Sequence, residues 1–348
     1  MGKANMTDDI KGKASSLGYD LCGVIPVDSL KEYATHLDKR VERFPKSRHL
    51  YEKLYALGSP EKKEKWAKSI VVCVRRYNKY KIPPEINKYF GKMYLFDGRL
   101  TYSDEYKSAA LFEEHLRNLG ITFFKDATAA RLAAVKAGLG KFGRNNFLYT
   151  RYGSWVYVDT WTVNMELEYD GPVETTQACP KNCRKCIDAC PTRALSEPFA
   201  MDRGACIAHL SYFSSGLPSE EIRDQMGAWL YGCDVCQDVC PKNRNKWVGE
   251  REFPGLDSIS GLLTPEKIAE MDKKTFLEVI QPRFWYIDKE NIWLWKCNAI
   301  RAMANSHDAK YRPYIRQALR DSDENVRIVA SWACRKSGIQ ASMNEGWD

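Results

Sequence analysis

A chain of 348 residues, 44% hydrophobic and 28% charged, is long enough to bury more than one core and has the make-up of an ordinary water-soluble protein. Lys and Arg outnumber Asp and Glu by 53 to 45, a net +8 that permits an anionic partner without demanding one. No run approaches a membrane span, and the start, MGKANMTDDIKGK, has no apolar signal core and carries Met6 where a myristoylation site wants Ser or Thr. The protein is therefore expected in the cytoplasm, off the membrane, with its cysteines reduced.

Residues 7–19 read as a first helix, with Thr7 as N-cap ahead of Asp8 and Asp9 and Gly18 as its stop. Tyr19 to Val27 reads as a strand. Residues 28–66 are charged and mostly helical, broken at Pro45 and Pro60. The run SIVVCVRRY at 69–77 is apolar and β-branched, as a buried strand requires. Arg75-Arg76 lies behind that strand and is not a twin-arginine export signal. Cys22 and Cys73 fall inside apolar runs and read as small core residues. Residues 82–102, rich in aromatics, Pro and Gly, read equally well as a ligand-facing loop and as irregular packing. Asp104 to Leu119 is expected to be a helix with Ala109, Leu111, Phe112 and Leu116 on its apolar side and Gly120 at its end. Ile121 to Phe124 is a short strand that delivers Asp126.

Ala129 to Ala137 has strong helix propensity. Gly138, Gly140 and Gly143 then make a tight turn carrying Lys141, Arg144, Asn145 and Asn146. Its G-x-G-x-x-G matches a dinucleotide fingerprint in letters only, since it follows a helix where that fingerprint follows a strand. Phe147–Tyr149 and Ser154–Val163 are expected to pair as a hairpin.

The densest chemistry lies between residues 179 and 241. CPKNCRKCIDACP is followed by a lone Cys206 and then CDVCQDVCP. Cys179, Cys183, Cys186, Cys190, Cys206, Cys233, Cys236 and Cys240 supply the thiolates that two 4Fe–4S cubanes need. Cys190 and Cys240 each precede a proline, and in two-cluster ferredoxins that closing cysteine ligates the other cluster. One cluster then takes Cys179, Cys183, Cys186 and Cys240, and the other takes Cys190, Cys206, Cys233 and Cys236. Cys179 and Cys183 enclose three residues where the usual run has two. Structural zinc or disulfides are the alternatives for such cysteines; the repeated spacing and the Cys-Pro endings favour iron–sulfur.

Beyond a linker at 251–263, Thr264-Pro265 opens a helix. Residues 290–338 then read as amphipathic helices of a HEAT-like kind, jointed at Asp321–Val326. They carry Lys296, Arg301, Lys310, Arg312, Arg316, Arg320, Arg327, Arg335 and Lys336. Composition alone favours a solvated basic face over a nucleic-acid site. Cys297 and Cys334 read as buried helix residues, and the tail after Ser337 as disordered.

Taken together, these stretches resemble the epoxyqueuosine reductase family, cobalamin-dependent iron–sulfur enzymes of tRNA modification. Carrying the resemblance are Lys125-Asp126, KAGLGKFGRNNFLYTRYGSW, RGACIAHLSYFSSGLP, MGAWLYGCDVCQDVCPKN, WKCNAIRAMAN and ENVRIVASWAC. The core is also similar to that of reductive dehalogenases, which usually carry export signals and lack such a helical tail. The resemblance implies an α+β protein: an α/β cobalamin-binding core over 1–168, a ferredoxin-like double 4Fe–4S domain over 169–250 and the HEAT-like helices over 251–348. It implies reduction of epoxyqueuosine to queuosine in tRNA. It also implies electrons from a low-potential donor such as ferredoxin or flavodoxin, and a monomer.

Within that resemblance, Asp126 matches the acid that gives a proton to the epoxide oxygen. Gly138, Gly140, Gly143, Arg144, Asn145 and Asn146 would meet the corrin. None of the five histidines sits in a recognisable cobalamin-ligand motif, so no lower axial ligand is assigned. Two other functions stand beside this one: a related corrinoid reductase acting on a small molecule, and a non-catalytic two-cluster electron carrier. For Asp126 the plainer role is to cap the helix that follows.

Overall fold

The strand Ser69–Arg76 is apolar from Ile70 to Val74 because it is an inner strand covered on both faces. The structure, a computed structural model, describes residues 2–96, 99–171, 177–214 and 216–339. It divides into two compact units, neither of them continuous in sequence. The first comprises 1–81, 98–204 and 235–251; the second comprises 82–97, 205–234 and 252–348.

In the first unit, β1 (Leu21–Pro26), β2 (Ser69–Arg76), β3 (Phe123–Lys125) and β6 (Val156–Val163) form one antiparallel sheet in the order β1-β2-β6-β3. Alternation along β2 sends Ile70, Val72 and Val74 to one face. There they meet Leu132, Ala133 and Val135 of the helix Ala130–Lys136. Val71 and Cys73 point the other way with Trp161 and Val163. They meet Ile10 and Ala14 of the helix Lys3–Ser16 and Phe112 and Leu116 of the helix Asp104–Asn118. Phe112 and Trp161 lie with ring centroids 4.7 Å apart. Trp161 is fully buried, and its truncation to Ala is expected to cost about 3–5 kcal/mol.

Three local expectations change. The first helix starts at Lys3, and Thr7 sits buried inside it, its Oγ1 accepting from the Glu168 amide at 2.9 Å. Leu111 is 47% exposed, while Ala109, Phe112 and Leu116 make the buried side of their helix. The hairpin is replaced: β4 (Lys141–Phe142) pairs with β5 (Leu148–Tyr149), and β6 pairs with β2 and β3. Close packing of the glycine turn explains the switch. A Cβ at Gly140 would sit 2.6 Å from the Tyr149 carbonyl oxygen, and one at Gly143 would strike the Tyr149 ring.

The second unit is built on the helices Ile292–Ser306, Arg312–Gln317 and Glu324–Lys336. Ile300, Met303, Ile315, Val329, Ala330 and Trp332 share their core. Within residues 82–96, Phe90 is packed into the core, fully buried and 5.4 Å from the Phe284 ring. Thr264 caps the helix Pro265–Ala269 as expected. Cys297 and Cys334 are buried, also as expected. The disorder expected after Ser337 falls mostly on 340–348, outside the described residues.

One polar stripe on the helix Ile292–Ser306 faces inward. Asn298 Nδ2 donates to the Ser211 carbonyl at 2.7 Å, Arg301 Nη1 to that of Gly227 at 2.7 Å, and Asn305 Nδ2 to that of Arg223 at 2.8 Å. Arg301 Nη2 also donates to the Trp229 carbonyl. The stripe grips the loops that lead from Cys206 to Cys233. Burial lowers the Arg301 guanidinium to about 9.

Candidate functional site

Cys179, Cys183, Cys186 and Cys240 all lie in the first unit and act on one another electrostatically. The Cys186 thiol is pushed up to about 11, first by burial and then by the charges of Cys179, Cys240 and Cys183. Cys179 is raised too, chiefly by burial, against the Arg144 amide that hydrogen-bonds its sulfur. Among the described residues no three His, Cys, Asp or Glu side chains come close enough to share one metal ion. Sulfurs that repel one another as thiolates fit a site where a positively charged core sits among them.

The glycine turn holds this cysteine segment. The Arg144 amide donates to Cys179 Sγ at 3.2 Å, and Arg144 Nη1 donates to the Cys183 carbonyl at 2.6 Å. Asn145 is buried, and its Nδ2 donates to the Cys236 carbonyl at 3.0 Å. Asn146, at φ 63°, accepts from Arg40 Nη2 at its Oδ1 (2.9 Å) and from Arg131 Nη1 at its carbonyl (2.8 Å). Its own Nδ2 is buried with no hydrogen-bond partner. An orphaned amide donor beside the turn fits an acceptor-rich ligand such as the amide rim of a corrin.

Cys190 and Cys236 also lie in the first unit, packed on the small core of Cys186, Ile187 and Leu195. Cys206 and Cys233 belong to the second. There Cys206 precedes the helix Ile207–Tyr212, and its charge acts on the buried Tyr94 hydroxyl. His209 is a buried helix residue packed on Phe213, with ring centroids 5.6 Å apart.

Asp126 stands where β3 ends, at φ 55°, a left-handed conformation that Asp and Asn tolerate better than other side chains. Its amide donates to the Thr160 carbonyl at 2.8 Å, and its Oδ1 accepts from the Thr160 amide at 3.2 Å. It does not cap the next helix, whose N-cap is Ala129 with no side-chain bond. The residue is exposed, but protein lies beneath its carboxyl. The pKa is pushed up to about 6, first by desolvation and then by the charge of Asp159. Access to water tempers the first of these. Lys125 works against the shift from a distance, because its Nζ turns to Glu113 (3.6 Å) and lies over the Trp161 ring.

Residues 178–243 match the family model of 4Fe-4S double cluster binding domains. The epoxyqueuosine reductase of Cellulophaga algicola is 32% identical over 296 residues, which is 80% of this chain and 92% of that protein. The chain belongs to the epoxyqueuosine reductase family. It is an oxidoreductase with a double 4Fe–4S domain. Two solved epoxyqueuosine reductases, each 25% identical, align over 96% of this chain and 90% of theirs. The one from Bacillus subtilis, with its catalytic aspartate loop swung out of the active site, gives a TM-score of 0.80. The other, solved with an epoxyqueuosine-modified tRNA-Tyr stem loop, gives 0.78.

Much of the basic helical segment is occupied within the second unit. Lys296 pairs with Asp321 at 2.8 Å, Arg335 with Glu220 and Lys336 with Asp224 at 2.6 Å each, and Lys310 with Glu266 at 3.3 Å. Arg327 Nη1 donates to the Asp321 and Ser322 carbonyls. Arg312, Arg316 and Arg320 are exposed at i, i+4 and i+8. No helix among the described residues is long and apolar enough to cross a membrane.

Asp159, Thr160 and Tyr149 escaped the sequence reading. Asp159 and Thr160 matter through the register that sets β3 against β6, and Tyr149 through its hydroxyl, which accepts from Asn145 Nδ2 at 3.0 Å. No local motif marks any of them.

Proposed function

We propose that this protein reduces epoxyqueuosine to queuosine in tRNA. Removing an epoxide oxygen as water takes two electrons and two protons. The carrying observation is Asp126, an aspartate on a strand-ending loop whose raised pKa lets it hold a proton far closer to neutrality than a free carboxyl does. Family membership and the tRNA stem loop bound by a relative support the substrate.

In this reading Cys179, Cys183, Cys186 and Cys240 hold one 4Fe–4S cluster, and Cys190, Cys206, Cys233 and Cys236 hold the other. Cobalamin is the third cofactor, supplying a strongly reducing cobalt. Gly138, Gly140, Arg144 and Asn146 are accessible on the turn and would meet it, with Asn146 Nδ2 as a ready donor. Gly143 and Asn145 are buried and brace the turn from behind. Asp126 gives a proton to the departing oxygen, and the Thr160 amide fixes the carboxyl that does so. Arg312 and Arg316, exposed one turn apart, are suited to tRNA phosphates. The protein works as a cytoplasmic monomer fed by a low-potential donor such as ferredoxin or flavodoxin.

The test is anaerobic turnover. Protein reconstituted with iron, sulfide and cobalamin, given a strong chemical reductant and an epoxyqueuosine stem loop, should yield queuosine by mass spectrometry. Retention of both clusters and cobalamin with no conversion would rule the substrate out.

A further inference from the structure

Two cysteines outside the cluster motifs face each other across the sheet of the first unit. Cys22 of β1 stands directly opposite Cys73 of β2, with the two sulfurs 3.4 Å apart. The hydrogen bonds around them show which kind of pair they make. Val24 turns its backbone away from β2: its amide donates to Asp170 Oδ2 at 2.6 Å, and its carbonyl accepts from the Asp170 amide at 2.9 Å. Cys22, two residues before it on the same strand, faces the same way, so Cys22 and Cys73 are a non-hydrogen-bonded pair. In such a pair the Cα atoms lie about 4.5 Å apart and the side chains lean together, a separation that a disulfide spans. The sulfurs need only close from 3.4 Å to about 2 Å. The two thiols differ in access. Cys22 is half-buried, whereas Cys73 is fully buried, and burial holds its thiol well above the ordinary value.

We propose that Cys22 and Cys73 form a reversible disulfide that joins β1 to β2. The oxidant is a small-molecule disulfide such as oxidised glutathione. Cys22, the accessible thiol, reacts first: its sulfur bonds to one glutathione sulfur, the glutathione disulfide breaks, and the Cys22 proton goes to the departing thiolate. The Cys73 sulfur then bonds to the Cys22 sulfur and expels the second glutathione, which takes the Cys73 proton. No opening of the fold is needed, because the attacking sulfur already stands beside its target. The two protein thiols give up two electrons, and one disulfide is reduced to two thiols. In a reducing compartment the bridge opens by the same steps reversed, as in a redox-sensing pair. β1 is the edge strand of the sheet, and its Gly23 packs beneath Ala137 and Leu139 at the entry to the glycine turn: a Cβ there would lie 2.9 Å from that of Ala137. Oxidation therefore fastens to the inner strand the edge on which that turn rests.

The experiment is thiol mapping of the reconstituted holoprotein, kept anaerobic and exposed to oxidised glutathione. The protein is alkylated, digested with trypsin without reduction and analysed by mass spectrometry, with iron measured on the same sample. Trypsin leaves Cys22 in the peptide 14–31 and Cys73 in the peptide 69–75, each with no other cysteine. The expected product is these two peptides joined, lighter than their sum by two hydrogens, with iron per chain unchanged and the link lost after dithiothreitol. In Cys73→Ser the reaction should stop with glutathione on Cys22, and in Cys22→Ser the Cys73 thiol should stay free. Cys22 left carrying glutathione in the unaltered protein, Cys22 bridged to any other cysteine, or both recovered as free thiols would overturn the proposal.

Discussion

Asp126 and Thr160 hold each other through two hydrogen bonds. The Asp126 amide donates to the Thr160 carbonyl at 2.8 Å, and the Thr160 amide donates to Asp126 Oδ1 at 3.2 Å. The first extends the β3–β6 ladder by one residue; the second uses the side chain. Together they fix the carboxyl just past the end of the sheet.

Asp126→Asn separates holding from proton donation. Asn tolerates φ 55°, and its Oδ1 also accepts from the Thr160 amide, so the loop should keep its place. The expected result is a fall in turnover of about 10²-fold or more, the scale of lost general acid catalysis, with clusters and cobalamin retained. Single-turnover assays beside iron and cobalt analysis check it.

The pH profile should carry the mark of Asp126. Its pKa is raised to about 6, so the protonated acid predominates below that pH and is lost as pH rises through it. Single-turnover rates limited by this proton should fall on the alkaline side. Asp159 contributes to the raised value by like-charge repulsion. Asp159→Asn should therefore shift the falling limb to lower pH. A limb unmoved in Asp159→Asn would mean that Asp159 does not act on the acid.

Cys240→Ser should strip the cluster that Cys179, Cys183 and Cys186 hold, although Cys240 lies over fifty residues away in sequence and beside Cys236. Iron per chain should drop by about half and one of two resonance signals should vanish. Loss of the Cys190 cluster instead would reverse the ligand assignment.

Arg312 and Arg316 should matter for tRNA affinity and Arg335 should not, because Arg335 is engaged by Glu220 at 2.6 Å. Each phosphate contact released is expected to lower the salt slope of log K by about 0.7–0.9. Titrations of Arg312→Gln/Arg316→Gln at several salt concentrations check this. An unchanged slope would leave the pair without a role in binding.

How far the sequence could be read depended on the range of the interaction. The double-cluster domain declared itself by its cysteine spacing, and the inner strand Ser69–Arg76 by the apolar run Ile70–Val74. The helix Asp104–Asn118 showed in its apolar spacing and in Gly120, which follows at φ 72°; its N-cap Ser103, whose Oγ accepts from the Tyr106 amide, was not read from the sequence. The hairpin misled because strand choice is not local. Tyr149 folds back onto Gly140 and Gly143, and β6 is claimed by β2. Arg301 looked like a surface cation among others. Its neighbours Asn298 and Asn305, three and four residues away, mark the inward polar stripe only once the loop they grip is known. Asp159 was invisible for the same reason: its bearing on Asp126 comes from the pairing of β3 with β6.

Nucleoside mass spectrometry of tRNA, from the host with and without this gene, tests the central claim most directly. The account predicts that deletion makes epoxyqueuosine accumulate and queuosine disappear, that the intact gene restores queuosine, and that the Asp126→Asn gene does not. Normal queuosine in the deletion strain, with no second gene supplying the activity, would contradict it.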